Sequence, residues 1–479
     1  MLPVAGSVLI ALAGEKHANL REAFSLVTAG ILFVQVLQLY RLLDRSEYQV
    51  ITVAEPVAGL SIAFSIEPLG ILFALVASFL WIITTLYSIG YMRAHHEKNQ
   101  TRFYVCFALA LASTMGVAFS ANMFSLFIFY EMLTLTTYPL VTHSGTEEAK
   151  RSGRLYLGYL LGTSIGLQLL AILWTWTLVG TLDFRQGGIF DGAVSDSVMT
   201  LLLVLYVFGI GKAALMPFHR WLPAAMVAPT PVSALLHAVA VVKAGVFTVL
   251  KITIYLFGIE SISASGASLV LMYVAGATIL IASLIAMRRD NLKARLAYST
   301  ISQLAYIVLG AMLASSMGII GAGMHIAMHA FAKITLFFCA GAIMVTAHKT
   351  EVSQMRGLGK TMPFTMIAFM IGSLSVIGMP PLGGMWSKWF LVLGTLDTGH
   401  YLLLAVFLVS SLLNVIYLLP IPVRAFFADK NTGTGKIQEA PWPCLLAIMV
   451  TSSACLVLFF FPEIFYDLMV DISTTGQGQ

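Results

Sequence analysis

The amino-acid sequence predicts an all-α membrane protein of about fourteen transmembrane helices, in which two five-helix repeats are inverted relative to each other. Three observations lead to this fold class. Hydrophobic residues make up 59% of the 479 residues and charged residues only 10%, whereas a soluble chain is about a quarter charged. The apolar residues fall into runs of about 18 to 27, the length that crosses roughly 30 Å of hydrocarbon. Two of the longest runs contain a similar Pro-interrupted motif.

Apolar runs between charged or Gly/Pro-rich breaks define the predicted helices. In chain order they span about 2–14, 23–43, 68–92, 104–121, 123–142, 155–180, 198–227, 229–255, 266–287, 294–314, 317–346, 361–397, 401–427 and 441–462. The first is short, and MLPVAGSVLIALAGEKH lacks the basic start and the A-x-A site of a cleaved signal peptide. Helices seven and twelve are too long or too Pro-rich to be single straight helices, because an internal proline breaks the hydrogen-bond ladder.

The distribution of basic residues supports this helix count. Nineteen Lys and Arg residues fall in loops that follow odd-numbered helices, and four fall on the other side, namely Arg41, Arg45, Arg185 and Lys251. Cytoplasmic loops of multi-pass membrane proteins carry an excess of Lys and Arg. We therefore expect odd-numbered helices to lead into the cytoplasm and both termini to lie on the outer side.

The two broken helices contain similar motifs. MPFHRWLPAA begins at Met216 and MPPLGGMWSKWF begins at Met379, an offset of 163 residues, and each motif has a lysine nearby, Lys212 or Lys388. Adding this offset to the residue numbers of helices four to eight gives approximately the residue numbers of helices nine to thirteen. Each block has five helices, so the second crosses the membrane in the opposite sense, as in transporters with inverted repeats. If each break is considered alone, the alternative interpretation is a proline kink that serves only helix packing.

This repeat divides the chain into four parts. Residues 1–103 hold helices one to three, 104–255 form the first repeat, 256–428 form the second, inverted repeat, and 429–479 hold helix fourteen and the tail. Paired broken helices in such repeats carry ion sites near the membrane midplane. A prolyl break also frees backbone carbonyls that protein or water must satisfy, so we expect the segment around Lys212 to line a hydrated cavity.

Five ionisable residues fall within the predicted spans. They are Glu131, Lys212, Lys243, Lys333 and Lys388. An ionised side chain at this depth costs about 2.5–3.5 kcal/mol, so such residues pair with one another or line a pathway. We expect Glu131 and Lys212 to form a pair whose protonation switches, because burial disfavours a charged lysine and a nearby carboxylate favours it. The alternatives are snorkelling of the lysines to the interface and, for Glu131, a static ion pair.

Histidines add further polar groups at the same depth. His325, His329 and Lys333 lie at i, i+4 and i+8, which places them along one side of helix eleven over about 12 Å. His237 and Lys243 lie in helix eight. Histidine titrates near neutral pH, which suits a proton relay. Structural histidines are the alternative, as is zinc binding by H-x-x-x-H, although H-E-x-x-H and nearby acid or cysteine ligands are missing.

Ionisable groups in helices five, seven, eight, eleven and twelve together indicate a lateral polar axis. Its predicted order is Glu131, Lys212, Lys243, His329, Lys333 and Lys388. Water would have to bridge the gaps between these side chains. We expect proton transfer along this axis.

The composition argues against several other kinds of function. The four cysteines are scattered without C-x-x-C spacing, which disfavours disulfides, zinc sites and iron–sulfur clusters. The net charge of +5 is spread over many loops, so no nucleic-acid partner is expected. No Rossmann glycine fingerprint follows a strand. We therefore expect neither a metal nor a cofactor in this chain.

Four segments of the sequence resemble a known family. FIFYEMLTLTTYPLV, the GK…MPFHRWLP…APTPVSALLHA…VKAG block, HAFAKITLFF and GMPPLGGMWSKW are similar to the proton-conducting membrane subunits shared by Mrp-type Na⁺/H⁺ antiporters, respiratory complex I and membrane-bound hydrogenases. The resemblance covers helices three to thirteen. It implies that the family's functional residues of helices five, seven, eight, eleven and twelve are here Glu131, Lys212, Lys243, His329, Lys333 and Lys388.

Within this family, the sequence is most similar to the D-type subunits of Mrp antiporters. The chain ends soon after helix fourteen, without the long lateral helix of the largest complex I subunit. Lys388 stands where the middle antiporter-like subunit of complex I has an acid. The stretch THSGTEEAKRSGRLYLGYLLGTSIG also resembles the D-type Mrp proteins.

The resemblance implies a proton-translocating subunit of a multi-subunit antiporter that exchanges protons for a monovalent cation, Na⁺. Its expected partners are other membrane subunits of an antiporter or complex I-like assembly in a bacterial inner membrane. The alternative is a proton-pumping membrane subunit of an NADH:quinone oxidoreductase or hydrogenase, with redox chemistry in partner subunits. Whether the chain is part of an enzyme therefore stays open. A scaffold whose charges merely pair is the third possibility.

Overall fold

Helices connected by short loops form most of the chain. The computed structural model describes residues 1–43, 49–190, 192–428 and 437–474, without the side chains of 473 and 474. Three basic residues that enter the predicted charge asymmetry, Arg45, Lys430 and Lys436, lie outside the described residues. The outer or cytoplasmic placement of the loops stays a prediction.

The helices of the first half follow the predicted order. They are α1 Leu2–Ala13, α2 Ala18–Arg41, α3 Pro68–Ala94, α4 Gln100–Phe119, α5 Met123–Val141, α6 Glu147–Thr163, α7 Leu169–Val179, α8 Asp196–Gly209, α9 Trp221–Ala224, α10 Thr230–Ala234, α11 Val241–Lys251 and α12 Ile259–Ser265. The π-helical segment Ser164–Gln168 joins α6 to α7. Two more π-helical segments, Leu235–Val239 and Ile252–Phe257, precede and follow α11.

The second half also agrees with the predicted order. Its helices are α13 Leu269–Arg288, α14 Leu292–Met312, α15 Ser316–Ala347, α16 Pro363–Ile377, α17 Gly384–Asp397, α18 Tyr401–Leu418, α19 Pro420–Phe427, α20 Trp442–Phe460 and α21 Glu463–Thr474. The last of these, α21, follows the final predicted span, and the sequence pattern did not predict it as a helix.

Ten helical segments in the described part of the chain are long and apolar enough to cross a membrane. Three further apolar helices are shorter than a full span, namely Leu2–Ala13, Asp196–Gly209 and Pro363–Ile377. Predicted helix ten corresponds to α14, which is helical but does not belong to the ten. The all-α membrane class is confirmed, whereas the number of fourteen crossings and the inverted relation of the two blocks stay predictions.

Predicted helices seven and twelve are both interrupted near their middle. In helix seven, α8 ends at Gly209 and a 3₁₀ turn, Gly211–Ala213, precedes the Pro-rich stretch. In helix twelve, α16 ends at Ile377 and α17 begins at Gly384. Both interruptions coincide with the Met-Pro motifs, as expected from a residue that cannot donate a backbone hydrogen bond.

One element departs from the helical pattern. Residues Val50–Val57 and Leu60–Ser65 form an antiparallel β-hairpin, β1 and β2. The helix pattern of the sequence predicted no element in this stretch. Its signal is the β-branched run V-I-T-V followed by an Ala-Gly turn, which is typical of a hairpin. The hairpin does not change the predicted helix order, because it lies in the connection between α2 and α3.

Backbone hydrogen bonds tie several connections together at one end of the bundle. Ala121 donates to Ala63 of β2, Phe184 donates to Ala121, and Arg185 donates to Tyr255. We call this end, at which the hairpin lies, the hairpin end. At the opposite end, Leu292 donates to Thr350.

Two segments in the middle of the bundle are entirely buried. All residues of Thr230–Phe257 are buried, and so are all residues of α15 from Gly318 to Ile343. Neither segment therefore faces lipid along these stretches. The polar side chains of α11 and α15 lie inside the protein, surrounded by other helices.

Candidate functional site

Lys212 lies in the interruption after α8 and is completely buried. Its Nζ donates hydrogen bonds to the carbonyl oxygen of Tyr130, at 2.7 Å, and to Oγ1 of Thr134, at 2.6 Å. The backbone N–H of Lys212 donates to Oη of Tyr130 at 3.0 Å. Nε1 of Trp221 donates to the carbonyl oxygen of Gly211 at 3.0 Å. Protein groups therefore satisfy part of the backbone that the break sets free.

Glu131 lies beside this lysine but does not form an ion pair with it. The Lys212 ammonium contacts the residue before Glu131, and among the described residues neither carboxylate oxygen of Glu131 has a hydrogen-bond partner, although both are buried. Glu131 and Lys212 are thus neighbours, but their charged groups do not form a hydrogen bond with each other. The ammonium is bound instead by two neutral oxygen atoms.

Lys243 contacts the histidine stripe of α15 directly. Its Nζ lies 2.8 Å from Nδ1 of His329, and both residues are buried. The rings of His325 and His329 stack at 5.6 Å, and Nδ1 of His325 lies 2.8 Å from Oγ of Ser387. Ser387 is the residue before Lys388. The structure therefore brings the predicted residues of helices eight, eleven and twelve into one connected group.

The remaining lysines of the predicted axis are also bound by neutral oxygen atoms. Lys333 donates to Oγ of Ser299 at 2.6 Å. Lys388 donates to the carbonyl oxygen of Ile377, at 3.1 Å, and to Oγ of Ser411, at 3.2 Å. The Ile377 carbonyl belongs to the last residue of α16. The second break thus supplies a backbone acceptor to a lysine, as breaks of this kind do in transporters.

His237 is the member of the predicted set that stands apart. It lies in the π-helical segment before α11 and is completely buried, and neither ring nitrogen has a hydrogen-bond partner among the described residues. Its ring packs against Phe337 at 4.6 Å. π-helical turns inside α-helices occur frequently at functional sites.

A glycine allows α11 to approach the first break closely. A Cβ atom on Gly245 would lie 2.4 Å from the backbone carbon of Lys212 and 2.3 Å from the backbone nitrogen of Ala213. No side chain fits there without displacing the backbone. Gly245 is two residues from Lys243, so this contact fixes the position of Lys243 relative to Lys212.

Lys251 was predicted to lie in a loop, and the structure corrects this prediction. Lys251 is the last residue of α11 and is completely buried, with Nζ 2.6 Å from Oε1 of Glu67. Glu67 precedes α3 and is 3% exposed. The signal was present, because Lys251 falls inside the predicted helix 229–255. Glu67 could not be recognised, since it follows a stretch in which no element was predicted.

The described residues contain no group of three or more His, Cys, Asp or Glu side chains arranged to hold a metal ion. The H-x-x-x-H pair is engaged in other contacts, since Nδ1 of each histidine faces a lysine or a serine. The cysteines Cys106, Cys339, Cys444 and Cys455 are free thiols. The four predicted lysines each contact an imidazole nitrogen or neutral oxygen atoms.

Comparison with known proteins identifies the family. Residues 120–414 match the family model described as NADH:quinone oxidoreductase/Mrp antiporter, TM. The chain belongs to this NADH:quinone oxidoreductase/Mrp antiporter family. Residues 56–104 also match the model described as NADH-ubiquinone oxidoreductase (complex I), chain 5 N-terminus. The predicted resemblance is confirmed, and the protein is a multi-pass membrane protein of the proton-translocating antiporter and complex I superfamily.

Two curated proteins illustrate what the chain is similar to. NADH-quinone oxidoreductase subunit N of Desulforudis audaxviator is 34% identical over 416 residues, which cover 83% of this chain and 82% of the relative. NAD(P)H-quinone oxidoreductase chain 5 of Synechocystis is 32% identical over 348 residues, covering 69% of this chain. The chain spans about half the length of this second relative, 49%.

Two solved structures share the fold of this chain. A chain of the archaeal membrane-bound sulfane sulfur reductase superposes with a TM-score of 0.87 at 22% identity, covering 99% of this chain and 96% of that chain. A chain of the Mrp complex from Dietzia sp. superposes with a TM-score of 0.85 at 21% identity, covering 100% and 96%. Both belong to multi-subunit membrane complexes.

Proposed function

We propose that this chain is the proton-translocating subunit of a multi-subunit Na⁺/H⁺ antiporter. Protons move along the buried axis from Glu131 through Lys212, Lys243, His329 and Lys333 to Lys388. The contact between Lys243 and His329 carries this proposal. It is a 2.8 Å nitrogen–nitrogen contact between α11 and α15, which belong to the two predicted repeats.

The neutral surroundings of the lysines support proton exchange rather than static pairing. The ammonium groups of Lys212, Lys333 and Lys388 contact carbonyl and hydroxyl oxygens, and none of the three forms an ion pair with a carboxylate in the described part of the chain. A buried ammonium without a counter-ion is costly. Small changes in neighbouring charge therefore decide whether such an amine holds its proton.

The geometry at Lys243 is suitable for direct transfer. A proton leaves Nζ of Lys243 and binds Nδ1 of His329, which leaves a neutral amine and an imidazolium ion. Donor and acceptor within about 2.6–3.2 Å are in the range that proton transfer requires. Where the axis residues do not contact one another, as between Lys212 and Lys243, transfer needs bridging water.

Orientation and location are part of the proposal. The loops after odd-numbered helices carry most basic residues, so we place them in the cytoplasm of a bacterial cell with both termini on the periplasmic side. The partners are other membrane subunits of the same complex. Na⁺ is the proposed exchanged cation, and the similarity to the D-type proteins of Mrp antiporters is the basis for this choice.

A redox complex is the second candidate. The curated relatives are named as subunits of NADH-quinone or NAD(P)H-quinone oxidoreductases. In this alternative, the same axis carries protons through a pump that redox chemistry in partner subunits drives. Genes adjacent to that of this chain separate the two candidates. Small antiporter subunits support the first, and flavin or iron–sulfur subunits support the second.

Proton flux in inverted membrane vesicles tests the proposal. The chain is produced with its partner subunits, and the sodium-dependent dissipation of a pH gradient is measured for wild type, Lys212→Met and the exposed control Lys98→Met. We expect loss of dissipation in Lys212→Met alone. Equal activity in all three proteins would contradict a proton role for the axis, and dissipation that does not respond to sodium would contradict Na⁺ exchange.

A further inference from the structure

A buried histidine, His143, follows the last turn of α5 at the end of the bundle opposite the hairpin end. We propose that His143 and Glu97 form a pH-sensitive switch, which slows proton transport when the solution at this end becomes acidic. The inference rests on the proposed function, because the switch acts on the groups of α5 that bind Lys212. It adds a regulatory site that lies outside the predicted axis.

The ring of His143 is buried beside a carboxylate that it does not bind. The residue is 4% exposed, and neither ring nitrogen has a hydrogen-bond partner among the described residues. Nε2 of His143 lies 3.8 Å from Oε2 of Glu97, which is longer than a hydrogen bond. An imidazolium ion has two N–H donors, and a buried charge without a partner is costly. Protonation therefore makes this arrangement unfavourable unless the ring reaches Glu97.

Protonation of His143 draws its ring and the Glu97 carboxylate together. A charge-assisted hydrogen bond is about 2.7–2.9 Å long, so the gap closes by about 1 Å. Glu97 lies in the connection between α3 and α4 and is also contacted from its other side, since Nδ1 of His95 lies 3.0 Å from its Oε1. The end of α5 is therefore the part that moves. His95 and Glu97 are also partly exposed, which gives protons from solution access to the buried ring.

Charged groups from three neighbouring segments face His143. Glu97 and the backbone of Lys98 belong to the connection between α3 and α4, and Glu15 belongs to the connection between α1 and α2. Arg102 of α4 donates from Nη2 to the carbonyl oxygen of His143 at 2.9 Å. The two carboxylates favour the imidazolium ion, and the guanidinium group opposes it. Burial lowers the pKa of His143, so the switch responds below the ordinary histidine value of about 6.5.

The same helix carries the oxygen atoms that bind Lys212. Nζ of Lys212 donates to the carbonyl oxygen of Tyr130 and to Oγ1 of Thr134. Pro139 lies inside α5, between Thr134 and His143, and cannot donate a backbone hydrogen bond. Helices bend at such prolines. A shift at the His143 end therefore changes the course of α5 at Pro139 and alters the oxygen atoms around the Lys212 ammonium.

A purely structural histidine is the alternative explanation. A histidine that only fills space affects folding, and its replacement changes proton flux to the same extent at every pH. Replacement of a switch histidine instead changes the dependence of flux on pH and leaves the flux at neutral pH intact. The pH profile therefore distinguishes the two roles.

Proton flux in inverted vesicles tests the switch, because these vesicles expose the proposed cytoplasmic end to the medium. Flux is measured between about pH 7.5 and pH 5.5, where histidine titrates, for wild type, His143→Gln and His96→Asn. His96 is exposed, lies in the same connection as Glu97 and has a φ of 53°, which Asn tolerates. We expect flux to fall by at least about fivefold over this range in wild type and His96→Asn, a usual size for coupling. His143→Gln should lose much less, and a pH profile equal to that of wild type overturns the proposal.

Glu97→Gln keeps the test decisive if His143→Gln fails to fold. It removes the carboxylate that the imidazolium ion binds, and Glu148→Gln, at an exposed acid of α6, is its control. We expect a weaker pH dependence in Glu97→Gln alone, and an unchanged profile there overturns the switch. Lys212→Met separates the two failures. If Lys212→Met abolishes flux at every pH while both switch variants keep the wild-type profile, the switch is wrong and the proposed function stands.

Discussion

Lys243 and His329 lie 2.8 Å apart, from Nζ to Nδ1, although 86 residues separate them in the chain. Each belongs to a segment without exposed residues, so neither reaches lipid or bulk water. The lysine is held beside an imidazole, whose unprotonated ring nitrogen can accept a proton. This contact joins the two halves of the proposed axis.

The first prediction concerns this contact. In His329→Gln, the amide oxygen still accepts a hydrogen bond from Lys243 but cannot bind a proton. We expect proton flux in vesicles to fall by about 10²-fold, the usual contribution of a proton-transfer group. The exposed His17→Gln serves as the control. Retained flux in His329→Gln would show that the histidine is only a structural acceptor.

Glu131 is the subject of the second prediction. Its buried carboxylate has no hydrogen-bond partner in the described chain and lies next to the residue that binds Lys212. Glu131→Gln removes the charge with little change in volume. We expect reduced flux and an unchanged unfolding temperature, with the exposed Glu148→Gln as the control. The idea fails if both variants transport protons equally well.

The third prediction treats the ion pair of Glu67 and Lys251 as a structural clamp at the hairpin end. Lys251→Met leaves the Glu67 carboxylate buried without a partner, which costs about 3–5 kcal/mol of stability. Lys251→Arg retains the positive charge and should retain both stability and flux. Thermal unfolding of the purified protein measures this difference. A Met variant as stable as the Arg variant would contradict the clamp.

The pH dependence of stability gives the fourth prediction. His143 lies just after α5 and is 4% exposed. Burial lowers the pKa of His143, although Glu97, whose carboxylate lies 3.8 Å from its ring, partly opposes this shift. The buried imidazole is therefore harder to protonate than a histidine in water.

The unfolded histidine binds a proton below about pH 6.5, whereas the folded one resists protonation. Stability is therefore retained above this pH and lost as the pH falls through it. We expect His143→Gln to show a smaller loss of unfolding temperature between neutral and acidic pH than the wild type. An equal loss of unfolding temperature in the wild type and in His143→Gln over this pH range would refute the prediction.

Most residues of the proposed axis could be named from the sequence, because charged groups in apolar helices are conspicuous. Lys212 stands beside a prolyl break, and the helical spacing of His325, His329 and Lys333 places them on one side. The predicted helices agree with the structure within a few residues at most ends, since long apolar runs are a strong signal.

Other features of the site depend on contacts between residues that are distant in the sequence, and the spacing of residues does not reveal such contacts. The ammonium of Lys212 binds Tyr130 and Thr134 instead of pairing with Glu131, because the neighbouring turn of α5 faces the break. Glu67 and Lys251 were missed for a similar reason, as they are distant in sequence.

The central claim is that buried amines exchange protons during transport. Nitrogen NMR of the complex labelled with ¹⁵N at lysine Nζ measures this directly, with Lys243→Met used to assign the signal of Lys243. We expect that signal to alternate between ammonium and neutral amine when a pH gradient is imposed, and to stop alternating in His329→Gln. A Lys243 signal that remains that of an ammonium ion under every condition would contradict the account.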